Sequence, residues 1–147
     1  MSELTRILPN DNMQGQLRRD DLVYPELSYK LIGILFEVHK NLGSQYQEKY
    51  YQRAIAIALK EQGIPFAEQV LVNLNFKGAS IGRYFVDFLI ADKIVLEIKT
   101  VSRLTLGDYK QVDGYLKALD KELAILVNFR THNLTFRRVL NSAKAVH

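Results

Sequence analysis

The alternation of apolar and polar positions predicts three strands in the middle of the chain. A half-buried strand is predicted first, with one apolar face formed by Val70, Val72, Leu74 and Phe76. A turn at residues 77–80 leads into the stretch 82–100, where two runs of β-branched, aromatic and aliphatic residues flank a short polar break at residues 91–93. This break is typical of a β-hairpin with a three-residue loop. We therefore predict a three-stranded antiparallel meander.

Apolar residues at helical spacing predict helices on both sides of this meander. The first helix begins near Pro25 and ends at Gly43, because proline favours a first turn and glycine favours a helix stop. The second begins after Ser44, whose spacing to Gln47 matches a capping box, and it runs to about Gln62. The third carries the stripe Tyr109, Val112, Tyr115, Leu116 and Leu119.

The last part of the chain predicts a buried strand. Residues 123–129 are apolar on both faces, as expected of a strand that is covered on both sides, and residues 134–140 predict a further strand. The order of elements is then αα-βββ-α-β, which indicates an α/β fold with helices flanking a central mixed sheet. We predict an N-terminal arm at residues 1–23 and a single domain at residues 24–147.

Three charged residues interrupt the apolar hairpin. A loop centred on Asp92 pairs residues whose numbers sum to 184, so Asp87 should lie directly opposite Glu97. Like charges in directly opposed positions repel each other, and Lys99 on the face of Glu97 supplies only one positive charge. By the same alternation, Asp87 is expected to share a face with Arg83, Phe85 and Leu89. A cluster of this kind is either an ordinary exposed group of charges or a site that binds a cation.

Composition narrows the chemistry. The chain has 147 residues, of which 48% are hydrophobic and 24% charged, and it contains no cysteine, which excludes thiolate metal sites and a cysteine nucleophile. The first residues form no signal-peptide pattern and no run is long enough to span a membrane, so we expect a cytoplasmic protein without membrane contact. A net charge of +4 permits an anionic partner without requiring one.

The spacing of these residues resembles the PD-(D/E)xK nuclease superfamily and, within it, the small GxxExxY family. The resemblance covers roughly residues 25–140, and the matching positions are Val38-His39-Lys40-Asn41-Leu42-Gly43, Glu48, Tyr51, Asp87, Glu97-Ile98-Lys99, Gln111, Tyr115-Leu116-Lys117 and Asn128-Phe129. Gln45 stands where the family's name has glycine, and Val86 rather than proline precedes Asp87. The resemblance implies a restriction-endonuclease-like core.

The superfamily resemblance also implies a mechanism. Asp87 and Glu97 would bind Mg²⁺ or Mn²⁺ together with the backbone carbonyl of Ile98, because these hard cations prefer oxygen ligands. The metal would activate a water molecule for attack on a phosphodiester bond. Lys99 would orient that water or stabilise developing charge, since neighbouring carboxylates oppose the loss of its proton.

Three further residues have competing interpretations. Glu48 is a candidate metal ligand by resemblance, although glutamate is common in the first turn of any helix. Gln111 and Tyr115 lie four residues apart on the third helix and so share a face, a spacing similar to an active-site element in a branch of the superfamily. Tyr115 also continues the apolar stripe and fits the core. Tyr51 is expected to pack at least as readily as to contact a phosphate.

Two functions from different classes remain open. The first is a metal-dependent nuclease that acts on nucleic acid, DNA rather than RNA, with selectivity supplied by nucleic-acid shape, dimerisation or a partner protein. The second is a binding module that retains the nuclease fold without catalysis. Basic residues are expected around the predicted cleft, where they could contact phosphates. No recognition helix stands out, so sequence-specific DNA recognition is not supported. The complete Asp87, Glu97 and Lys99 set favours the nuclease.

Overall fold

The described part of the chain folds into a mixed β-sheet with helices packed on both faces. The structure is a computed structural model that describes residues 23–144. Its elements are α1 (Pro25–Leu42), α2 (Glu48–Glu61), β1 (Phe66–Phe76), β2 (Ala79–Ile90), β3 (Ile94–Lys99), α3 (Leu106–Leu119), β4 (Leu123–Asn128) and β5 (Thr135–Leu140). The predicted α/β class and element order are confirmed, and residues 134–140 do contain a last strand.

The five strands follow one another across the sheet in the order β1-β2-β3-β4-β5. β1, β2 and β3 form the predicted antiparallel meander, β3 and β4 are parallel, and β5 returns antiparallel to β4. The parallel pair needs a crossover connection, and α3 provides it. Phe88 pairs with Leu96 and Ile90 pairs with Ile94, so the predicted register of the hairpin is confirmed.

Two apolar clusters hold the helices to the sheet. One cluster packs α1 and α2 against one face and includes Leu35, Ile55 and Leu96, all fully buried. The other packs α3 against the opposite face and includes Val112 and Leu116. Burying a side chain of this size contributes about 1.5–3 kcal/mol, so the two clusters fix the sheet on which the charged residues lie. Every residue of β4 is buried, as predicted for a strand covered on both faces.

Three local predictions need comment. The capping box at Ser44 is wrong, because α2 begins at Glu48 with Gln47 as its N-cap and has no side-chain cap bond. Phe76 does not belong to the apolar face of β1, since it is 60% exposed near the end of the long hairpin. The predicted N-terminal arm lies outside the described residues except for Val23.

Within residues 23–144, no helix has the length and hydropathy needed to cross a membrane.

Candidate active site

Asp87 and Glu97 are linked by reciprocal hydrogen bonds between β2 and β3. The backbone N–H of Asp87 donates to Oε1 of Glu97 at 3.1 Å, and the backbone N–H of Ile98 donates to Oδ2 of Asp87 at 2.7 Å. The regular ladder between these strands ends one step earlier, at the pair Phe88 and Leu96. Side-chain carboxylates therefore take backbone donors at the point where the two strands separate. The two predicted carboxylates do come together.

The strand carrying Asp87 does not alternate regularly at that position. Val86 and Leu89 both pack towards α3, whereas Phe88 packs towards α1 and α2, so the alternation is interrupted between Val86 and Phe88. At the same level of β1, Gln69 has a φ of 51° and is not a bridge partner of Asp87, although the register is identical on either side. The predicted common face of Phe85 and Leu89 is therefore wrong, because regular alternation was assumed where the strand is distorted.

Burial disfavours the charged forms of both carboxyl groups, and the charge of Asp87 adds to this effect at Glu97. Burial, followed by the charge of Asp87, raises the pKa of Glu97 to about 7. Burial also raises the pKa of Asp87, although the Ile98 N–H, Glu97 and Lys99 oppose the rise. The proximity of Lys99 lowers the pKa of both carboxyl groups but does not offset the effect of burial. Burial therefore favours a protonated carboxyl group in this pair.

Glu48 approaches this pair from the first turn of α2. Although Glu48 is exposed as a residue, partial burial of its carboxyl group, followed by the charge of Asp87, raises its pKa. Lys99 and hydrogen bonding with Thr100 act in the opposite direction. Glu48, Asp87 and Lys99 are thus electrostatically coupled, as the predicted role of Glu48 requires.

Lys99 lies at the end of β3 and reaches towards α3. Its Nζ donates to Oε1 of Gln111 at 3.2 Å and lies 4.0 Å from Oδ1 of Asp108. Asp108 forms a capping box with Thr105 at the start of α3, so its carboxylate belongs to the N-terminus of that helix. The ammonium group is held between the helix and the carboxylates, and Gln111 lies beside it.

Tyr84 is a site residue that the sequence analysis missed. Its hydroxyl donates to Oε2 of Glu97 at 2.6 Å, and its ring stacks on Tyr115 with the centroids 4.2 Å apart. Burial and the bond to Glu97 raise the pKa of Tyr84 well above its usual range, and burial raises that of Tyr115 to about 12. Both hydroxyls therefore stay protonated, and that of Tyr84 orients the carboxylate of Glu97. Tyr84 could not be found from the sequence, because strict alternation places it on the face away from Asp87.

Asn128 fixes the chain that follows Lys99. Its side-chain oxygen accepts from the backbone N–H of Val101 at 3.1 Å and from that of Arg130 at 3.2 Å, while its Nδ2 donates to the Val101 carbonyl at 2.8 Å. A fully buried amide with these partners holds the end of β3 rigidly against β4. Asn128 thus positions the segment that carries Lys99 and Thr100.

Tyr51 has a structural role. It is fully buried, its hydroxyl donates to the Gly43 carbonyl at 2.6 Å, and its ring stacks on Phe129 at 4.3 Å. His39 similarly contacts the Thr131 carbonyl through Nε2 at 3.0 Å. Both residues connect α1 and α2 to the chain after β4 rather than facing the carboxylates.

The donor set fits a hard divalent cation in its chemistry. Carboxylate oxygens are the ligands that Mg²⁺ and Mn²⁺ prefer, and a cation would offset the cost of burying the charged forms of Asp87 and Glu97. Across residues 23–144, no three histidine, aspartate or glutamate side chains converge closely enough to hold an ion. The predicted ligand set of Asp87, Glu97, Ile98 and Glu48 therefore stays a prediction.

Comparison of the sequence with known families identifies the fold family. A model of the PD-(D/E)XK nuclease superfamily matches residues 25–139. The chain belongs to this superfamily. The predicted superfamily is confirmed. The narrower GxxExxY assignment is a separate question, since the match reaches only the superfamily. No curated protein matches the sequence.

Solved structures resemble the chain at low sequence identity. An alkaline exonuclease (LHK-Exo) from Laribacter hongkongensis is 16% identical, with 65% of this chain and 55% of that chain covered and a TM-score of 0.47. Its complex with dAMP is 15% identical, with 76% and 69% covered and a TM-score of 0.47. The protein SSO0001 is 23% identical, with 80% and 59% covered and a TM-score of 0.48. The chain thus spans 55–69% of the length of LHK-Exo and 59% of that of SSO0001.

Proposed function

We propose that this protein is a Mg²⁺- or Mn²⁺-dependent nuclease that hydrolyses phosphodiester bonds in nucleic acid, DNA in preference to RNA. The observation that carries the proposal is the pair of carboxylates, Asp87 and Glu97, which are linked through backbone hydrogen bonds and lie within electrostatic reach of Lys99. Membership of the PD-(D/E)XK superfamily supports it. The resemblance at Glu48 and Tyr51 supports the narrower assignment to the GxxExxY family.

Asp87, Glu97, Glu48 and the Ile98 carbonyl are the proposed metal ligands. A bound divalent cation would neutralise the scissile phosphate and lower the pKa of a coordinated water. Before a cation arrives, the bonds from the Ile98 and Asp87 amides hold the two carboxyl groups in place. Binding therefore requires little rearrangement of either side chain, and this lowers its cost.

Lys99 is proposed to stabilise the charge that develops on the phosphate. Its ammonium group interacts with Asp87, Glu97 and Glu48, and it donates to Gln111. An ammonium group beside carboxylates suits an electrostatic role towards developing negative charge. Gln111 would then orient the ammonium group.

Tyr84 and Tyr115 are proposed to position Glu97. The Tyr84 hydroxyl donates to one carboxylate oxygen and the Asp87 amide donates to the other, so Glu97 has a fixed orientation. Tyr115 supports the Tyr84 ring by stacking and does not need to touch the substrate. The Glu97 carboxylate is thus held by two donors.

Several finer features belong to the same proposal. The nucleic-acid partner is proposed to be DNA, and selectivity is proposed to come from nucleic-acid shape, from a homodimer or from a partner protein. The proposed location is the cytoplasm. The division into an arm at residues 1–23 and a nuclease domain at residues 24–147 is likewise part of the proposal.

A cleavage assay with matched variants tests the function. Purified protein should cleave at least one substrate from a panel of single-stranded, double-stranded and branched DNA and RNA when Mg²⁺ or Mn²⁺ is present, and none in EDTA. Asp87→Asn and Lys99→Ala should each abolish cleavage while the thermal unfolding transition is retained. Asp92→Asn is the matched control, because Asp92 is an exposed carboxylate in the loop of the same hairpin.

The binding-module alternative makes a different prediction. A protein that binds nucleic acid but cleaves none of these substrates, and that shows no heat of Mg²⁺ or Mn²⁺ binding by calorimetry, would overturn the nuclease proposal. Metal binding by the wild-type protein that disappears in both Asp87→Asn and Glu97→Gln would support the nuclease proposal.

A further inference from the structure

Two exposed tyrosines lie on either side of Glu48 in the chain. Tyr46 is 49% exposed and Tyr50 is 41% exposed. Their rings meet edge to face with centroids 5.9 Å apart. Single exposed aromatic residues are common, but two rings in contact beside an acidic site form a surface on which a flat ligand can stack.

Two cations accompany these rings. Nζ of Lys49 lies 5.2 Å from the centroid of Tyr50, and the guanidinium carbon of Arg53 lies 5.6 Å from it. Both side chains are exposed to solvent. Proteins bind single-stranded nucleic acids through aromatic rings combined with cations, since the rings stack on bases and the cations attract phosphates.

The position of this group connects it to the carboxylates. Glu48 lies in the same turn of α2 as Lys49 and Tyr50, and its carboxyl group interacts with the charges of Asp87 and Lys99. Side chains two positions apart point to different sides of a helix, so a strand that reaches both Tyr50 and Glu48 would pass around the N-terminus of α2. Tyr51, the next residue, turns into the core and is unavailable for binding.

We propose that Tyr46, Lys49, Tyr50 and Arg53, here called the tyrosine patch, bind unpaired bases of a single strand and deliver that strand to the carboxylates. The inference rests on the proposed nuclease function and specifies its substrate class as single-stranded nucleic acid or an unpaired end. Bases within a duplex are already stacked on their neighbours and present no free face, so the patch discriminates against duplex.

Binding measurements in a silenced protein test the patch without cleavage. The parent is full-length Asp87→Asn protein with Mg²⁺, and the probes are a fluorescent oligothymidylate and a blunt duplex, followed by anisotropy. Adding Tyr46→Ala and Tyr50→Ala should weaken binding of the oligothymidylate by about tenfold or more, because each base that stacks on an aromatic ring contributes about 1–3 kcal/mol. Binding of the duplex should change much less.

Two controls separate stacking from folding. Tyr46→Phe and Tyr50→Phe keep the rings and should retain single-strand binding. Tyr29→Ala removes a tyrosine that is 60% exposed on α1, and it should leave binding unchanged. Thermal unfolding of each variant verifies that the fold is retained.

The cations give a second readout. Lys49→Ala and Arg53→Ala should each reduce the slope of log K against log salt concentration by about 0.7 for the oligothymidylate, because each contact with a phosphate of a single strand releases a counterion. Replacing Lys60, an exposed lysine in the last turn of α2, should leave the slope unchanged.

Three results would overturn the inference. They are single-strand binding unaffected by the alanine variants, an equal loss for duplex and single strand, and a change of oligomeric state in size-exclusion chromatography that identifies the patch as an interface between copies. If the wild-type protein cleaves nucleic acid and one of these results appears, only the patch is wrong. If it cleaves none of the substrates, the nuclease function itself is wrong.

Discussion

Asp87 and Glu97 hold each other in position through the backbone rather than through their carboxyl groups. The amide of Asp87 donates to Glu97 at 3.1 Å, and the amide next to Glu97, that of Ile98, donates to Asp87 at 2.7 Å. Two acidic side chains that would repel each other without these hydrogen bonds are thus fixed where β2 and β3 separate. The arrangement makes the metal-free site dependent on pH, on neighbouring donors and on the local shape of the strand.

The first prediction concerns stability and pH. The pKa of Glu97 is raised from 4.5 to about 7 in the folded protein, so folding favours its protonated form. This stabilisation is complete below about pH 4.5 and is lost as the pH rises through about 7, with a total on the order of 3 kcal/mol. The groups around Glu97 are Asp87, Tyr84 and Lys99 from the sheet and Tyr115 from α3. In EDTA, Glu97→Gln should unfold with a weaker pH dependence between pH 5 and 8, measured by thermal or urea melts.

A matched control for this experiment is Glu37→Gln, which removes an exposed carboxylate on α1. Its pH dependence should match that of the wild type. Identical slopes for Glu97→Gln and wild type would show that Glu97 is ionised in the folded protein across this range. Saturating Mg²⁺ should raise the stability of the wild type more at pH 8 than at pH 5, since the charged carboxylate binds the cation.

The second prediction concerns Tyr84. Tyr84→Phe removes the hydroxyl that donates to Glu97 but keeps the ring that stacks on Tyr115. We expect a stability loss of about 1–3 kcal/mol at neutral pH, because hydrogen bonds to charged groups lie in this range. Cleavage should fall about tenfold as Glu97 loses its fixed orientation. Urea melts and initial cleavage rates measure the two effects, and an unchanged rate would reduce Tyr84 to a packing residue.

The third prediction separates Lys99 from Gln111. Lys99→Ala removes the charge and should abolish cleavage, whereas Gln111→Ala removes only a partner 3.2 Å from the ammonium group and should lower the rate by roughly tenfold. Lys110→Ala, on the exposed side of α3, is the control for the loss of a positive charge. Equal rates for Gln111→Ala and wild type would contradict a role for Gln111 in orienting Lys99.

The fourth prediction concerns the distortion opposite Asp87. Gln69 has a φ of 51°, a conformation that costs an ordinary residue about 1 kcal/mol and is least tolerated by β-branched side chains. Gln69→Val should therefore be less stable than Gln69→Gly by at least about 1 kcal/mol, and it should also cleave more slowly because Asp87 shifts. Glu68→Val, at the preceding exposed position of β1, should stay within about 0.5 kcal/mol of wild type. Equal stability of the two Gln69 variants would remove the argument for backbone strain.

Local rules succeeded where the hairpin is regular. The three-residue loop at residues 91–93 fixes the register, so the pairing of Phe88 with Leu96 and the approach of Asp87 to Glu97 follow from the sequence. They failed at Ser44, where the capping-box spacing is present but α2 begins four residues later. They also failed at Phe76, which lies at the end of the long hairpin and stays 60% exposed.

Strands, helices and the pair of opposed acids were determined by the sequence itself, because alternation, helical spacing and hairpin register depend on near neighbours in the chain. Only the tertiary structure decided that Tyr84 binds Glu97, that Gln111 meets Lys99 and that Gln69 bends β1 opposite Asp87. These contacts join elements that are distant in sequence, or they depart from regular alternation. Their geometry is set by how α2 and α3 pack on the two faces of the sheet, which no local pattern encodes.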